Sequence, residues 1–353
     1  MSASLIQLIA SIIFTIAILH TFSVKFFKKL AHQYPRHEKI FDMLGEVEIV
    51  FGFWAIILIL IFFLFLGKNE LLSYLNNQSY VEPLFVFVIM IIAASKPILD
   101  FSLTCVRTIS RLIPINKSLS LFFVTISFVP LLGSFITEPA AMTLGALLLK
   151  DHFYSKNISN KFKYAIIGTL FVNVSIGGTL TPFAAPPILM VAAKWNWDLM
   201  FMLTTFGWKT VLAVFTNSLI LTSLFRKELT NLEEPDVKPS QTPLIILFLH
   251  LLLLVGVIIF VHDLILFLGI FLIFLGIANS YSQFQNKLII KEAFLVSLFL
   301  AGLVILGGLQ KWWLQPLLTK LTPDQIYYAA TALTAITDNA ALTYLGSLVD
   351  GLS

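Results

Sequence analysis

A series of long apolar segments, separated by short polar stretches, restricts what this chain can fold into. The segments fall at about 5–22, 43–66, 81–94, 119–135, 140–149, 164–193, 199–225, 244–261, 264–279, 293–309 and 325–349. Most are close to the ~20 residues that a membrane-spanning helix needs, and none alternates as a barrel strand would. Only 12% of the residues are charged, which excludes a soluble globular domain. The sequence therefore predicts an all-α polytopic membrane protein, with 1–353 as one integral membrane domain.

The chain also contains two copies of one short motif, 200 positions apart. Residues 136–143 read Ile-Thr-Glu-Pro-Ala-Ala-Met-Thr, and residues 336–343 read Ile-Thr-Asp-Asn-Ala-Ala-Leu-Thr. Glu138 and Asp338 therefore occupy equivalent positions within apolar sequence. A carboxylate inside a membrane segment is costly, so its presence there indicates an ion or proton site. The alternative is that both motifs are extramembrane loops that cap helices.

Each carboxylate is followed by a residue that disturbs a helix. Pro139 has no backbone N–H to donate, and Asn339 competes for nearby backbone groups. A helix over 119–135 would rise about 25 Å, but one over 140–149 would rise only about 15 Å, too little to cross ~30 Å of hydrocarbon. The pattern therefore predicts a re-entrant hairpin over 119–149 that turns at the carboxylate.

The distribution of Lys and Arg supports this hairpin. Eighteen of the 23 basic residues lie in five segments that we interpret as loops, at 23–41, 96–117, 150–163, 226–243 and 280–292. All five lie on one side of the membrane if 119–149 is a hairpin, as expected for cytoplasmic loops. The opposite side then holds four, which are Lys68, Lys194, Lys311 and Lys320. This topology places the N-terminus outside and makes a second hairpin, over 325–349, enter from the opposite side to the first.

Two inverted repeats follow from this topology, with a first repeat at 81–225 and a second at 264–353. The cytoplasmic loop 226–243, which contains Glu233, Glu234, Pro235 and Asp236, joins them. Glycines, prolines and hydroxyl groups interrupt the segment 164–193 and predict a discontinuous helix whose free carbonyls and hydroxyls coordinate a cation. The alternative is a kink without a ligand role. No equivalent stretch follows the second hairpin, so we expect the second repeat to be truncated and the gene to encode a further segment.

The candidate ion- and proton-binding residues lie at the two carboxylate motifs and in the interrupted helix. They are Asp338, Glu138, Thr137, Thr337, Asn339, Asn173, Gly177, Gly178, Thr179 and Thr181. A Na⁺ site is expected at the two carboxylates and the threonine that precedes each. Asp338 is the expected main carrier, because Asn339 adds an oxygen ligand where Pro139 adds only a kink.

One basic residue lies within a membrane segment, and the sequence contains few other residues that indicate a chemical function. Lys209 is either a counter-ion to a central carboxylate or a side chain that snorkels to the membrane surface. No zinc-ligand spacing, phosphate loop or nucleophile elbow occurs, so neither a cofactor nor enzymatic activity is expected. The basic residues form no basic module, so nucleic acid is not an expected partner.

Four motifs resemble those of the sodium/proton antiporter family of NhaD-like proteins, in the ion-transporter superfamily. They lie at 134–141, 177–182, 306–313 and 335–341. The resemblance implies a hairpin paired with an unwound helix in each repeat, Na⁺ and H⁺ as transported ions, and a homodimer in the bacterial inner membrane.

The expected function is therefore secondary active transport, as sodium/proton antiport by alternating access. Other members of the superfamily carry dicarboxylates or arsenite, so anion transport is the alternative, although Glu138 and Asp338 would repel an anion. A non-transporting membrane protein is a further alternative, and it would need no buried carboxylate pair.

Overall fold

The computed structural model describes residues 4–232 and 242–352, which form helices joined by turns, with no strand in those two ranges. The all-α class is therefore confirmed. Six of the described helices are long and apolar enough to cross a membrane, and the bent pair Val81–Ala93 and Lys96–Leu112 passes the same test together. The predicted inter-repeat residues Glu233, Glu234, Pro235 and Asp236 lie outside the described residues.

The apolar segments form helices, and further helices lie between them. The first five are α1 (Leu5–Phe22), α2 (Val24–Gln33), α3 (Glu38–Leu44), α4 (Val47–Asn76) and α5 (Val81–Ala93). The next ten are α6 (Lys96–Leu112), α7 (Lys117–Ile136), α8 (Glu138–Leu149), α9 (Asn160–Gly177), α10 (Pro186–Ala192), α11 (Leu199–Met202), α12 (Trp208–Leu224), α13 (Arg226–Thr230), α14 (Leu244–Ile259) and α15 (Leu264–Ser280). The last four are α16 (Ile290–Gly307), α17 (Lys311–Leu318), α18 (Pro323–Thr334) and α19 (Asn339–Ser347).

Two segments that we interpreted as basic loops are largely helical. The segment 23–41 contains α2 and the start of α3, and 96–117 contains α6. Hydropathy alone misses such helices because their charges lower the average, whereas a 3.6-residue period reveals them. In α6, for example, Ile98, Ser102 and Val106 are buried at intervals of four.

The chain divides into two compact units, each considered separately here. One comprises the residues up to Phe87 and from Ile290 onward, and the other is Val88–Ile289. In the second unit α7 is the central helix and packs against α6, α8, α9 and α12. Polar as well as apolar side chains of α7 are buried, including Ser120, Thr125 and Ser134.

In the first unit α4 and α16 pack along each other, and α1 packs against both. The two long helices approach most closely at Gly302, where an added Cβ would lie 2.4 Å from the carbonyl carbon of Phe51. Backbones that approach this closely need a small residue at the contact, as is common between membrane helices.

The long helix α4 changes direction near its C-terminal end. Gly67 has φ 81° and ψ 176° and interrupts the otherwise helical backbone. Beyond it, the hydroxyl of Tyr74 donates a hydrogen bond to the carbonyl of Ile305 in α16, at 2.5 Å. The C-terminal end of α4 is therefore hydrogen-bonded to α16, the same helix against which the first part of α4 packs.

Candidate functional site

The first carboxylate motif lies between two helices that pack against each other. α7 ends at Ile136 and α8 begins at Glu138, so Thr137 alone separates them. Thr137 has φ 73° and ψ 151°, a conformation that β-branched residues rarely adopt. Its side chain is 3% exposed, and its hydroxyl has no hydrogen-bond partner in the described part of the chain. Because a buried hydroxyl without a partner is costly, this oxygen is a candidate ligand for an ion.

The carboxylate of Glu138 lies against the interrupted helix. A Cβ added at Gly178 would come within 2.4 Å of the Glu138 Oε1 atom, so a glycine is needed there for the carboxylate to keep its position. Glu138 is partly buried and forms no hydrogen bond or ion pair with the other described residues. Its carboxylate is therefore available to bind a proton or a cation.

The helix beside this carboxylate is broken in the middle. α9 ends at Gly177, a 3₁₀ turn covers residues 178–180, bends cover residues 181–185, and α10 begins at Pro186. Backbone groups in such a break lack the partners that a continuous helix would provide. The break therefore places non-helical backbone carbonyls in the same part of the unit as Glu138.

Ser134 of α7 replaces part of the missing helical hydrogen bonding. Its hydroxyl donates to the carbonyl of Gly177 at 2.6 Å and accepts from the backbone N–H of Leu180 at 2.9 Å. The hydroxyl of the buried Thr181 donates to the Ser134 carbonyl at 2.6 Å. Ser134 is not among the predicted ion-binding residues, although a serine near the end of an apolar hairpin arm is a signal that points to such a role.

Asn173 has a structural environment that the sequence did not reveal. Pro130 lies inside α7 and has no N–H, so the carbonyl of Ile126 lacks its usual helical donor. The Asn173 carboxamide donates to that carbonyl at 2.8 Å and to the Ser218 hydroxyl at 3.1 Å. The Asn173 oxygen accepts from Asn217 at 3.0 Å. These bonds join α7, α9 and α12.

The remaining polar candidates in this unit lie in the 3₁₀ turn after α9 and at the start of α12. The hydroxyl of Thr179 donates to the carbonyl of Ile176 and is also hydrogen-bonded to the hydroxyl of Thr210. Lys209 is exposed, and its ammonium group lies 5.6 Å from the centre of the Trp208 ring. No ion pair of Lys209 with a carboxylate occurs among the described residues.

The second carboxylate motif has a different geometry. α18 ends at Thr334 and α19 begins at Asn339, with Asp338 as the N-cap of α19. The Asp338 carboxylate accepts a hydrogen bond from the backbone N–H of Ala341 at 3.0 Å, as capping residues commonly do. The Thr337 hydroxyl donates to the carbonyl of Leu333 at 2.9 Å. In the second motif the Thr337 hydroxyl and the Asp338 carboxylate therefore each have a hydrogen-bond partner, in contrast to the first motif.

A cavity of about 330 Å³ lies beside the second motif, within the first unit. Thr337 and Asp338 line it together with the hydroxyl-bearing Thr21, and most of the remaining wall is apolar or aromatic. The side chain of Asn339 is exposed and has no hydrogen-bond partner in the described ranges.

The described residues contain no group of three or more His, Cys, Asp or Glu side chains that could hold a metal ion. A cation bound at either motif would therefore rely on one carboxylate together with hydroxyl, carboxamide and backbone oxygens. Such donor sets suit hard cations and not the transition metals that prefer nitrogen or sulfur.

One family model, described as "Putative Na+/H+ antiporter", matches residues 5–353. The chain belongs to this family. The match includes both carboxylate motifs and the interrupted helix, and it confirms the resemblance found in the sequence. Members of an antiporter family are membrane transporters and not enzymes, and the family name implies Na⁺ and H⁺ as the transported ions. No curated protein matches the sequence.

The family match and the fold indicate the same broad class of protein. Its apolar helices are those of an integral, multi-pass membrane protein. The candidate residues fall into two groups, one around Glu138 in the unit Val88–Ile289 and one around Asp338 in the other unit.

Proposed function

We propose that the protein is a secondary active transporter that exchanges Na⁺ for H⁺ by alternating access, with Glu138 and Asp338 as the exchanging groups. The observation that carries this proposal is that the two equivalent carboxylates each lie where one helix ends and the next begins. A carboxylate at such a position can hold either a proton or a cation. Because the two compete for one negative charge, binding of Na⁺ releases H⁺.

At the first motif, the Glu138 carboxylate and the Thr137 hydroxyl would provide side-chain ligands, with further oxygens from the broken backbone at 178–185. The support comes from the unpartnered Thr137 hydroxyl and from the close contact of Glu138 with Gly178. In transporters with broken helices, unwound carbonyls and helix ends commonly coordinate the coupling ion.

At the second motif, we assign Asp338 as the main carrier, with Thr337 and Asn339 as additional oxygen ligands. The cavity beside Asp338 offers space in which an ion can enter and leave.

The Glu138→Gln substitution should weaken sodium/proton exchange or shift its dependence on pH, because Gln keeps the shape of Glu138 but cannot exchange a proton. The measurement is the Na⁺-induced pH change inside everted vesicles. Glu70→Gln, at an exposed position near the end of α4, is the control and should behave as the wild type. A Glu138→Gln protein with wild-type rates and an unchanged pH profile would remove Glu138 from the mechanism.

We further propose that the chain forms inverted repeats at 81–225 and 264–353, with the N-terminus outside the bacterial inner membrane and the protein as a homodimer. In this topology Lys117 and Lys150 flank one hairpin and face the cytoplasm. Single cysteines at these two positions, in a Cys105→Ala background, should both react with an impermeant reagent from the cytoplasmic side only. Reaction from opposite sides would exclude the hairpin and the inverted repeats with it.

A further inference from the structure

The short helix α2 begins directly after the membrane-spanning helix α1, with only Ser23 between them. Its sequence separates into two faces when its residues are placed at 100° intervals. One face is polar and consists of Lys25, Lys28, Lys29, His32 and Gln33. The other is apolar and consists of Val24, Phe26, Phe27, Leu30 and Ala31. α2 is therefore a basic amphipathic helix at the end of a membrane span.

Only part of the apolar face of α2 packs against the protein. Ala31 is 1% exposed, and the ring of Phe27 lies 4.6 Å from the ring of His20 in α1. Phe26, at the edge of the apolar face next to the lysines, is 60% exposed. A large aromatic side chain is thus exposed at the border between the apolar face and the face that carries the lysines.

The cationic side chains of α2 are free of acidic partners. Lys25, Lys28 and Lys29 are exposed, and none forms an ion pair within the described ranges. The stem of Lys28 passes over Gly45, where an added Cβ would lie 2.9 Å from the Lys28 Cγ atom. This contact holds the stem against the protein while the ammonium group stays outside.

The neighbouring helix α3 extends the basic surface. α2 and α3 pack against each other, and the rings of Tyr34 and Phe41 lie 6.1 Å apart across the connection. Arg36, in the turn that precedes α3, and Lys39, in α3, are also exposed and add two cations. Against these five cations, residues 23–44 contain only two acidic side chains, Glu38 and Asp42.

We propose that α2 and α3 form a binding surface for anionic phospholipid headgroups. The lysines would contact headgroup phosphates while Phe26 enters the upper acyl-chain region, as in helices that lie in the membrane interface. Clusters of four to eight basic residues beside a membrane span are typical of such recognition. A soluble anion would satisfy the lysines but would leave the exposed Phe26 unexplained, so a lipid fits both features of the surface.

The test compares lipid binding by the detergent-solubilised full chain and by two triple variants. Native mass spectrometry in mixed micelles gives the apparent Kd for phosphatidylglycerol and for phosphatidylcholine. Each lysine near a headgroup contributes about a fivefold gain in affinity, so Lys25→Gln/Lys28→Gln/Lys29→Gln should weaken phosphatidylglycerol binding by about a hundredfold at low salt. Its phosphatidylcholine binding should not change. The control Lys68→Gln/Lys194→Gln/Lys320→Gln loses the same charge and should stay within about twofold of the wild type.

The wild-type chain provides two readouts that do not depend on a variant folding. High salt should remove most of its preference for phosphatidylglycerol, because exposed charges are screened. Inorganic phosphate in excess should not displace the lipid. The proposal is overturned if the wild type binds the two lipids equally, if its preference survives high salt, if phosphate displaces the lipid, or if the α2 variant and the control lose equal affinity. None of these outcomes depends on whether the protein exchanges Na⁺ for H⁺.

Discussion

Replacement of Asp338 by Asn should abolish Na⁺-coupled proton movement and leave the protein folded. Asn is not an acid, so it has no proton to exchange, and it has no charge with which to hold Na⁺. Its side-chain oxygen can still accept the hydrogen bond from Ala341, and Asn is as good a helix N-cap as Asp. In everted vesicles, the Na⁺-induced pH change should fall to the level of vesicles that lack the protein.

The matched control is Asp324→Asn, which alters a carboxylate in the first turn of α18 that lies outside the motif. Its exchange rate should equal that of the wild type. Size-exclusion chromatography of both variants would show that each is present and monodisperse. If a well-folded Asp338→Asn protein exchanged Na⁺ for protons at wild-type rates, the site assignment would be wrong, and transport of an anion or a neutral solute would become the better hypothesis.

The Gly177→Ala substitution should strongly destabilise the protein. An added Cβ at this position would lie 2.3 Å from the carbonyl oxygen of Pro130 and 2.5 Å from its carbonyl carbon. These are backbone atoms of the central helix α7, so they cannot move aside as a flexible side chain would. Overpacking commonly costs about 1–3 kcal/mol, and we expect the upper end of this range. Loss of the Ser134–Gly177 hydrogen bond would add about 1 kcal/mol.

Thermal unfolding in detergent measures this effect, with Gly168→Ala as the control in the same helix. No heavy atom lies within 4 Å of a Cβ added at Gly168. Alanine also favours a helix over glycine by about 1 kcal/mol, so the control should melt at the wild-type temperature or slightly above it. Equal melting temperatures for the two variants would mean that α7 and α9 do not pack through Gly177 as described.

The general class of the protein and two of its helix breaks, at Thr137 and after Gly177, could be predicted from the sequence. α1 coincides with the predicted segment 5–22 because a mostly apolar run without a charged residue, with a serine at each end, determines such a helix locally. The break between Ile136 and Glu138 is likewise a local effect of Pro139. Features that depend on neighbouring residues in the chain are the ones that pattern analysis recovers.

Contacts between residues far apart in the chain could not be predicted from the sequence. Ser134 reaches Gly177 across 43 positions, and Asn173 reaches Ile126 across 47. A proline in one helix and an asparagine in another give no sign in the sequence that they belong to the same hydrogen-bonded arrangement. The roles of Ser134 and Asn173 therefore had to come from the structure.

The two carboxylate motifs have similar sequences but different conformations, and the sequence did not predict this difference. Thr137 has a positive φ and a buried hydroxyl without a partner, whereas the Thr337 hydroxyl bonds to the preceding helical turn. The difference arises from packing: α7 and α8 bury their residues against each other, while α18 has no buried residue. A local motif selects the place of a helix break, and the surrounding helices select its conformation.

The interruption of α4 at Gly67 fixes how this helix matches the thickness of a bilayer. The straight part before it, residues 47–66, rises about 30 Å, which equals the hydrocarbon thickness of a typical membrane. An uninterrupted helix of 30 residues would rise about 45 Å and would have to tilt or thicken the bilayer around it. Because glycine tolerates a positive φ, the chain can turn after a length that matches the hydrocarbon, and Lys68 follows at once. A helix that turns at Gly67 therefore needs neither a tilt nor a thicker bilayer to match the hydrocarbon.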